Sequence, residues 1–216
     1  MILAYQSEFI DLCIQLGVLK FGRFKLKSGR ESPYFFNAGL FNSGAAIGAV
    51  GRAYAAAVAA SPLKFDMLFG PAYKGIPLVT ISAAALAERH ARSLPFAFNR
   101  KETKDHGEGG SIVGSPLKGR VLIVDDVITA GTAIRESIDI IRQAGATPAG
   151  VLLALDRQER APDSQFSAVQ EIQNQHGIPV ISVVNLGDLM DHISHAGGAG
   201  DLNSLRRYRE RYGLAE

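Results

Sequence analysis

Apolar positions recur every third or fourth residue near the start of this chain and gather into short unbroken runs after residue 65. The first pattern predicts amphipathic helices and the second predicts strands. Phe9, Leu12, Cys13 and Leu16 line one face of a first helix, which Gly17 stops. A second helix starts after Ser43, whose hydroxyl suits an N-cap, and carries Ile47, Val50, Tyr54 and Val58 on one stripe as far as Pro62. Its many alanines and glycines predict close packing against a neighbour. From residue 65, strands are expected over Met67–Phe69, Pro95–Phe98, Val121–Val124, Gly150–Leu155 and Val180–Val184. Helices are expected over Ile76–His90, Ala133–Ala144 and Phe166–His176, with Gly145 placed to close the second of these. Four consecutive apolar residues, Val121–Val124, suit a strand buried on both faces. Strand–helix alternation implies right-handed crossovers and a doubly wound, mainly parallel α/β sheet. The expectation is a single domain over 1–216, with a cap over 1–64, an α/β core over 65–185 and a helical closure over 186–216.

Composition and charge narrow the class without pointing to a ligand. A length of 216 residues suits one large domain. The single cysteine, Cys13, permits no intrachain disulfide, so a reducing, cytoplasmic setting is expected. Apolar stretches such as Ala53–Ala60 fall well short of the ~20 residues of a spanning helix. Glu8 and Asp11 interrupt the first apolar pattern, so a signal peptide is not expected. Lys and Arg number 23 against 21 Asp and Glu, a net +2 that argues against a nucleic-acid or membrane partner.

Ligands of parallel sheets sit beyond the carboxyl ends of the strands, which directs attention to the loops after Phe69, Phe98, Val124 and Leu155. After Val124 come Asp125 and Asp126, then Val127, Ile128, Thr129, Ala130, Gly131, Thr132 and Ala133. Backbone N–H groups and two hydroxyls at a helix N-terminus form a ready phosphate site. Two carboxylates beside it make sense if they handle hydroxyls, a metal or developing positive charge, so a phosphorylated sugar satisfies every part. After Phe69, Gly70–Pro77 places Tyr73 and Lys74 among small residues at the same sheet edge. After Phe98, Asn99–Ser111 holds seven Arg, Lys, Asp, Glu or His residues, three Gly and no aliphatic side chain. That segment cannot bury itself. It is expected to be an exposed, mobile lid bringing Arg100, Lys101, Lys104 and His106 over an anionic substrate.

Val121–Ala133 is similar to the thirteen-residue 5-phosphoribosyl 1-pyrophosphate (PRPP) signature of type I phosphoribosyltransferases. Lys27–Arg30, Ser32–Gly39, Asn99–Gly110 and Leu155–Glu159 resemble the branch of that family whose acceptor is orotate, and the likeness spans nearly the whole chain. The resemblance implies transfer of 5-phosphoribose from PRPP to orotate, with release of pyrophosphate and with Mg²⁺ carried mainly by PRPP. It implies that Asp125 and Asp126 meet the ribose and that Val127–Ala133 hold the 5-phosphate. Tyr73, Lys74, Arg100, Lys101, Lys104 and His106 would meet the pyrophosphate, and Lys27 would lie near both pyrophosphate and orotate. Phe35, Phe36, Thr129 and Arg157 would receive the orotate, Arg157 by a bidentate pair with its carboxylate. Family members are homodimers, so the loop at about 100–111 is expected to reach the partner's site.

Other readings fail on particular residues. A receiver domain would share Leu122–Asp126 but needs a lysine at its fifth strand, and no lysine follows Lys118. Gly114 and Gly119 have P-loop spacing, but Arg120-Val121 follows where Lys-Ser/Thr is required. No Gly-x-Gly-x-x-Gly follows a strand. A non-catalytic PRPP-sensing relative would show a degenerate acid pair or lid and an added nucleic-acid module. His192 and His195 are spaced to share a ligand with Asp188 but lack a convincing third partner, so no metal is assigned to them. Arg206, Arg207, Arg209 and Arg211 suit a solvated helix face or a dimer contact.

Overall fold

The computed structural model describes residues 2–26, 29–104, 110–161, 164–196 and 200–214. Helix α1 (Ala4–Gln15) buries Phe9, Ile10 and Cys13 and leads into a hairpin of β1 (Leu19–Lys25) and β2 (Glu31–Phe36). Helix α2 (Gly44–Ala60) is capped by the Ser43 hydroxyl, which accepts from the Ala46 N–H. It buries Ala46, Val50, Ala53, Tyr54, Ala55, Ala57 and Val58. Those short side chains let it lie close on helix α3 (Gly75–His90), as its composition predicts.

A six-stranded sheet fills the centre. Its strands are β3 (Met67–Gly70), β4 (Phe96–Lys104), β5 (Gly110–Gly114), β6 (Arg120–Asp125), β7 (Thr147–Asp156) and β8 (Val180–Asn185). They lie in the order β5-β4-β3-β6-β7-β8, with every pairing parallel except β4–β5. Side chains alternate between the two faces. Leu68, Leu122, Val124, Leu152 and Ala154 enter one core with α1, α2 and α3, while Met67, Phe69, Val121, Ile123, Val151 and Leu153 enter another with α4 (Thr132–Gln143) and α5 (Ala168–His176). Burial on both faces is what the apolar runs predict.

Helices α6 (Leu186–Ala196) and α7 (Leu202–Tyr212) follow the sheet, and Leu186, Leu189, Leu205 and Tyr208 join the first core. Within the 64 residues expected as a cap, the hairpin forms its own two-stranded sheet, whereas α2 packs against α3, β7 and β8. No sequence pattern had predicted that hairpin. Its alternation (Leu19 with Phe21, Tyr34 with Phe36) is broken by a register shift between Phe21 and Phe24 and by Pro33. The segment expected to form a lid from Asn99 onward has a strand-paired base. Residues 99–104 continue β4, and Gly110 and Ser111 begin β5, so the charged segment stands on an antiparallel ladder at the sheet edge. The pairing of β4 with β3 ends at Phe98, so the charged part of β4 runs on past its inner neighbour, where side chains need not be apolar. Among the described residues no helix is long and apolar enough to cross a membrane.

Candidate functional site

Strand β6 is apolar until its last residue, so its burial carries the acid pair to the end of the sheet. Asp125 and Asp126 are 8% and 5% exposed there. The Asp125 Oδ1 accepts from the Asp126 N–H at 2.9 Å, and the Tyr54 hydroxyl of α2 donates to the Asp125 carbonyl at 2.9 Å. Asp126 receives Lys74 Nζ at 2.6 Å. Among the described residues Asp125 has no such partner. Burial, with the neighbouring Asp126 charge adding to it, pushes its carboxyl up to about 7. One acid of the pair is thus ion-paired, and the other sits poised near neutrality.

The pair faces a cavity of about 300 Å³ walled by Pro71–Lys74 and by residues 125–134. The structure therefore brings Tyr73, Lys74, Asp125, Asp126, Val127, Ile128, Thr129, Ala130, Gly131, Thr132 and Ala133 to one place. Gly131 adopts φ +73°, a left-handed conformation that suits glycine, and so turns the chain into α4. Thr129, Ala130 and Thr132 remain exposed around it, and the Arg135 guanidinium donates to the Ala130 carbonyl from within α4. The amino end of α4 thus points its unpaired N–H groups at the cavity. Opposite, a Cβ on Gly75 would lie 2.6 Å from Pro71 Cδ and 2.9 Å from the Val124 carbonyl, so glycine lets the Lys74 loop approach β6.

The charged edge of the sheet reaches the same rim. Asn99 Oδ1 accepts from the Ala72 N–H at 2.8 Å and ties β4 to the Lys74 loop. Lys101 Nζ lies 5.3 Å from the centroid of the Tyr73 ring, itself 68% exposed. Arg100 is half-buried within β4. Lys104 is placed only through its backbone pairing with Gly110, and Lys27 and His106 lie outside the described residues.

Three predicted residues do not line this cavity. Arg157 follows β7, which runs alongside the acid pair, with the Ala154 N–H donating to the Asp126 carbonyl at 2.9 Å. Its guanidinium pairs with Glu159 at 2.7 Å and lies over the Tyr34 ring at 4.3 Å. Phe35 is 41% exposed and stacks on Phe24 with ring centroids 5.6 Å apart. The pleat of β2 sends Phe36 the other way, where it meets Phe41 edge-on and packs against the core. Its side chain is therefore core material, which leaves its backbone for any acceptor.

The sequence had assigned no role to Tyr54, Asn99 or Glu159. Only Glu159 carried a visible signal, an acid two residues from a buried-strand arginine. The two histidines diverge: His192 bonds Asp11 and Ser7 at 2.9 and 3.0 Å, while His195 Nδ1 lies 2.7 Å from the Asp191 carbonyl. Asp188 accepts from Gln6 and from the Asn185 N–H. Among the described residues no three His, Cys, Asp or Glu side chains converge as a metal cage.

Comparison with known proteins assigns the chain. Residues 40–184 match the phosphoribosyl transferase domain family. The chain is 61% identical to the orotate phosphoribosyltransferase of Thioalkalivibrio sulfidiphilus over 97% of its own length and 99% of that protein. It is 58% identical to the Yersinia enterocolitica orotate phosphoribosyltransferase, over 98% and 99% of the two chains. The crystal structure of the Francisella tularensis orotate phosphoribosyltransferase superposes with a TM-score of 0.86 at 43% identity, covering 95% of this chain and 99% of that one.

Proposed function

Because the chain belongs to the orotate phosphoribosyltransferases, a branch of the phosphoribosyltransferase family, we propose how its residues transfer 5-phosphoribose from PRPP to orotate. The products are orotidine 5′-phosphate and pyrophosphate, a step in pyrimidine nucleotide synthesis. The observation that carries the proposal is the buried acid pair facing one cavity with the Thr129–Thr132 turn and Lys74.

The 5-phosphate binds the turn at the amino end of α4, where backbone N–H groups and the Thr129 and Thr132 hydroxyls surround an anion. Asp125 and Asp126 take the ribose hydroxyls. The bond from C1 to the pyrophosphate oxygen breaks with its electron pair leaving on pyrophosphate, and positive charge spreads over the ribose ring on the way. A ring nitrogen of orotate bonds to C1 and gives its proton to the departing pyrophosphate. A carboxylate held below that ring stabilises the charge because the site is already oriented and shielded from water. The Lys74–Asp126 pair keeps both charges compensated before substrate arrives. When PRPP enters, Lys74 turns to the pyrophosphate with Tyr73, Arg100, Lys101, Lys104 and His106, where negative charge grows as the bond breaks. Lys27 lies between pyrophosphate and acceptor. Phe35, the Phe36 backbone and Thr129 border the orotate ring, and Arg157 meets its carboxylate.

Two adjacent carboxylates are hard oxygen donors, too few to cage a cation alone but suited to share one with phosphate oxygens. Mg²⁺, carried mainly by PRPP, would neutralise charge on the pyrophosphate, and Asp125 and Asp126 are the residues that would help hold it. We propose further that the protein acts as a cytoplasmic homodimer whose 100–111 segment reaches the partner's site. Mixing the protein with PRPP, orotate and Mg²⁺ should release pyrophosphate in step with orotate consumption. Release that ignores orotate, or no release, would refute the reading.

A further inference from the structure

Arg157 does not stand alone. Its side chain is 18% exposed and that of Glu159 12%, so both charges sit largely out of water. Nε of Arg157 donates to Glu159 Oε1 at 2.9 Å, and Nη2 lies 2.7 Å from the same oxygen. Nη2 also donates to Ser32 Oγ at 3.2 Å. The Tyr34 hydroxyl donates to Glu159 at 3.2 Å, while its ring underlies the guanidinium. Glu159 and Ser32 take up Nε and Nη2, so Nη1 is the nitrogen that these two residues leave for a ligand.

The support continues into the C-terminal helix. Tyr208 of α7 is 5% exposed and meets Tyr34 at 84°, with ring centroids 6.2 Å apart. Its buried hydroxyl faces Ser32 and the Arg157 guanidinium. Backbone pairing bolts the Arg157 segment to the same helix: the Arg160 N–H donates to the Tyr212 carbonyl at 2.9 Å, and Glu159 bridges Gly213. Arg30 Nη1 adds a bond to the Arg160 carbonyl at 2.6 Å.

A locked fork recognises a carboxylate by position. With its charge matched by Glu159, Arg157 offers little net attraction, and the planar N–H geometry decides what fits. We propose that Glu159 and Tyr208 are positioning residues that fix Arg157 for the acceptor's carboxylate, so that helix α7 is part of the acceptor subsite. This rests on the assignment of Arg157 to orotate.

Steady-state constants for both substrates test the proposal. Glu159→Gln keeps the size of the side chain but loosens the ion pair, and Tyr208→Leu removes the ring that backs Tyr34. Each should raise the orotate KM by about tenfold or more while kcat and the PRPP KM stay within about twofold. Tyr208→Phe keeps the ring and discards the hydroxyl that faces Ser32 and Arg157; because the ring carries the support, the orotate KM should stay within about twofold of normal. Orotate KM values within about twofold of the unmodified protein in Glu159→Gln, or parallel rises for both substrates, would overturn it. If Tyr208→Leu fails to fold, Glu159→Gln and Tyr208→Phe decide the matter. Absence of turnover in the unmodified protein would instead overturn the functional assignment.

Discussion

Asp125 shows how a single residue carries opposite demands. Its position at the end of a buried strand puts it in the wall of the cavity proposed for the ribose, and the same burial pushes its carboxyl from 3.8 to about 7. In the unfolded chain the proton leaves near the lower value, whereas the folded chain retains it to the higher one. This group's contribution to stability is therefore fully present below about pH 4 and is lost as pH rises through about 7. Asp125→Asn cannot ionise, yet its side-chain oxygen can still accept from the Asp126 N–H. Without ligands, it should be more stable than the unmodified protein at about pH 8.5, by on the order of 1–4 kcal/mol, with no gain at about pH 4. Denaturant melts at the two pH values check this, and an equal difference at both would contradict it. The acid pair was legible from sequence as a candidate site. Its asymmetry was not, because it depends on Lys74, which lies 52 residues away in the chain and reaches only Asp126.

At the scale of elements, legibility followed burial. Strands β6 and β7 are buried on both faces and declare themselves as apolar runs. The hairpin β1–β2 is half exposed, carries a bulge and was invisible to the same reasoning. The charged stretch after Phe98 was read as a lid from composition alone, which cannot distinguish an irregular loop from a ribbon at a sheet edge. Its strand-like base lies against the Lys74 loop through Asn99, so Arg100 and Lys101 fall on the side of the site proposed for the pyrophosphate. If Lys104 serves charge that grows on the leaving group, Lys104→Ala should lower kcat by about 10²-fold or more at saturating substrates. A change confined to KM would contradict that role. Asn99→Ala removes the acceptor for the Ala72 N–H and should raise the PRPP KM several-fold, by about 1–2 kcal/mol of lost positioning, with the orotate KM little altered. Equal effects on both constants would argue against a local role.

The whole molecule explains a net charge of only +2 around an anionic ligand. Of eight lysines, Lys27, Lys74, Lys101 and Lys104 fall in segments assigned to the pyrophosphate or its surroundings, while Asp125 and Asp126 offset them in the sum. Charge is segregated by the parallel sheet, which brings the ends of β3, β4, β6 and β7 to one margin. The sheet and its ligand edge could be read from strand–helix alternation. How α7 meets the Arg157 segment could not, since it depends on contacts between residues about fifty positions apart in sequence. If the 100–111 segment acts in the partner's site, an inactive Asp126→Asn chain mixed with an inactive Lys104→Ala chain should recover activity. Random reassortment gives half the dimers one of each chain and one intact site of two, so about a quarter of normal activity should return. Recovery of none would place that segment in its own chain's site.

The claim that the acid pair ending β6 drives the transfer is tested most directly by pyrophosphate release from PRPP and orotate, measured for the unmodified protein and for Asp125→Asn/Asp126→Asn. The paired substitution should lower turnover by about 10³-fold or more while the protein still melts cooperatively. Near-normal turnover by that folded variant would contradict the account.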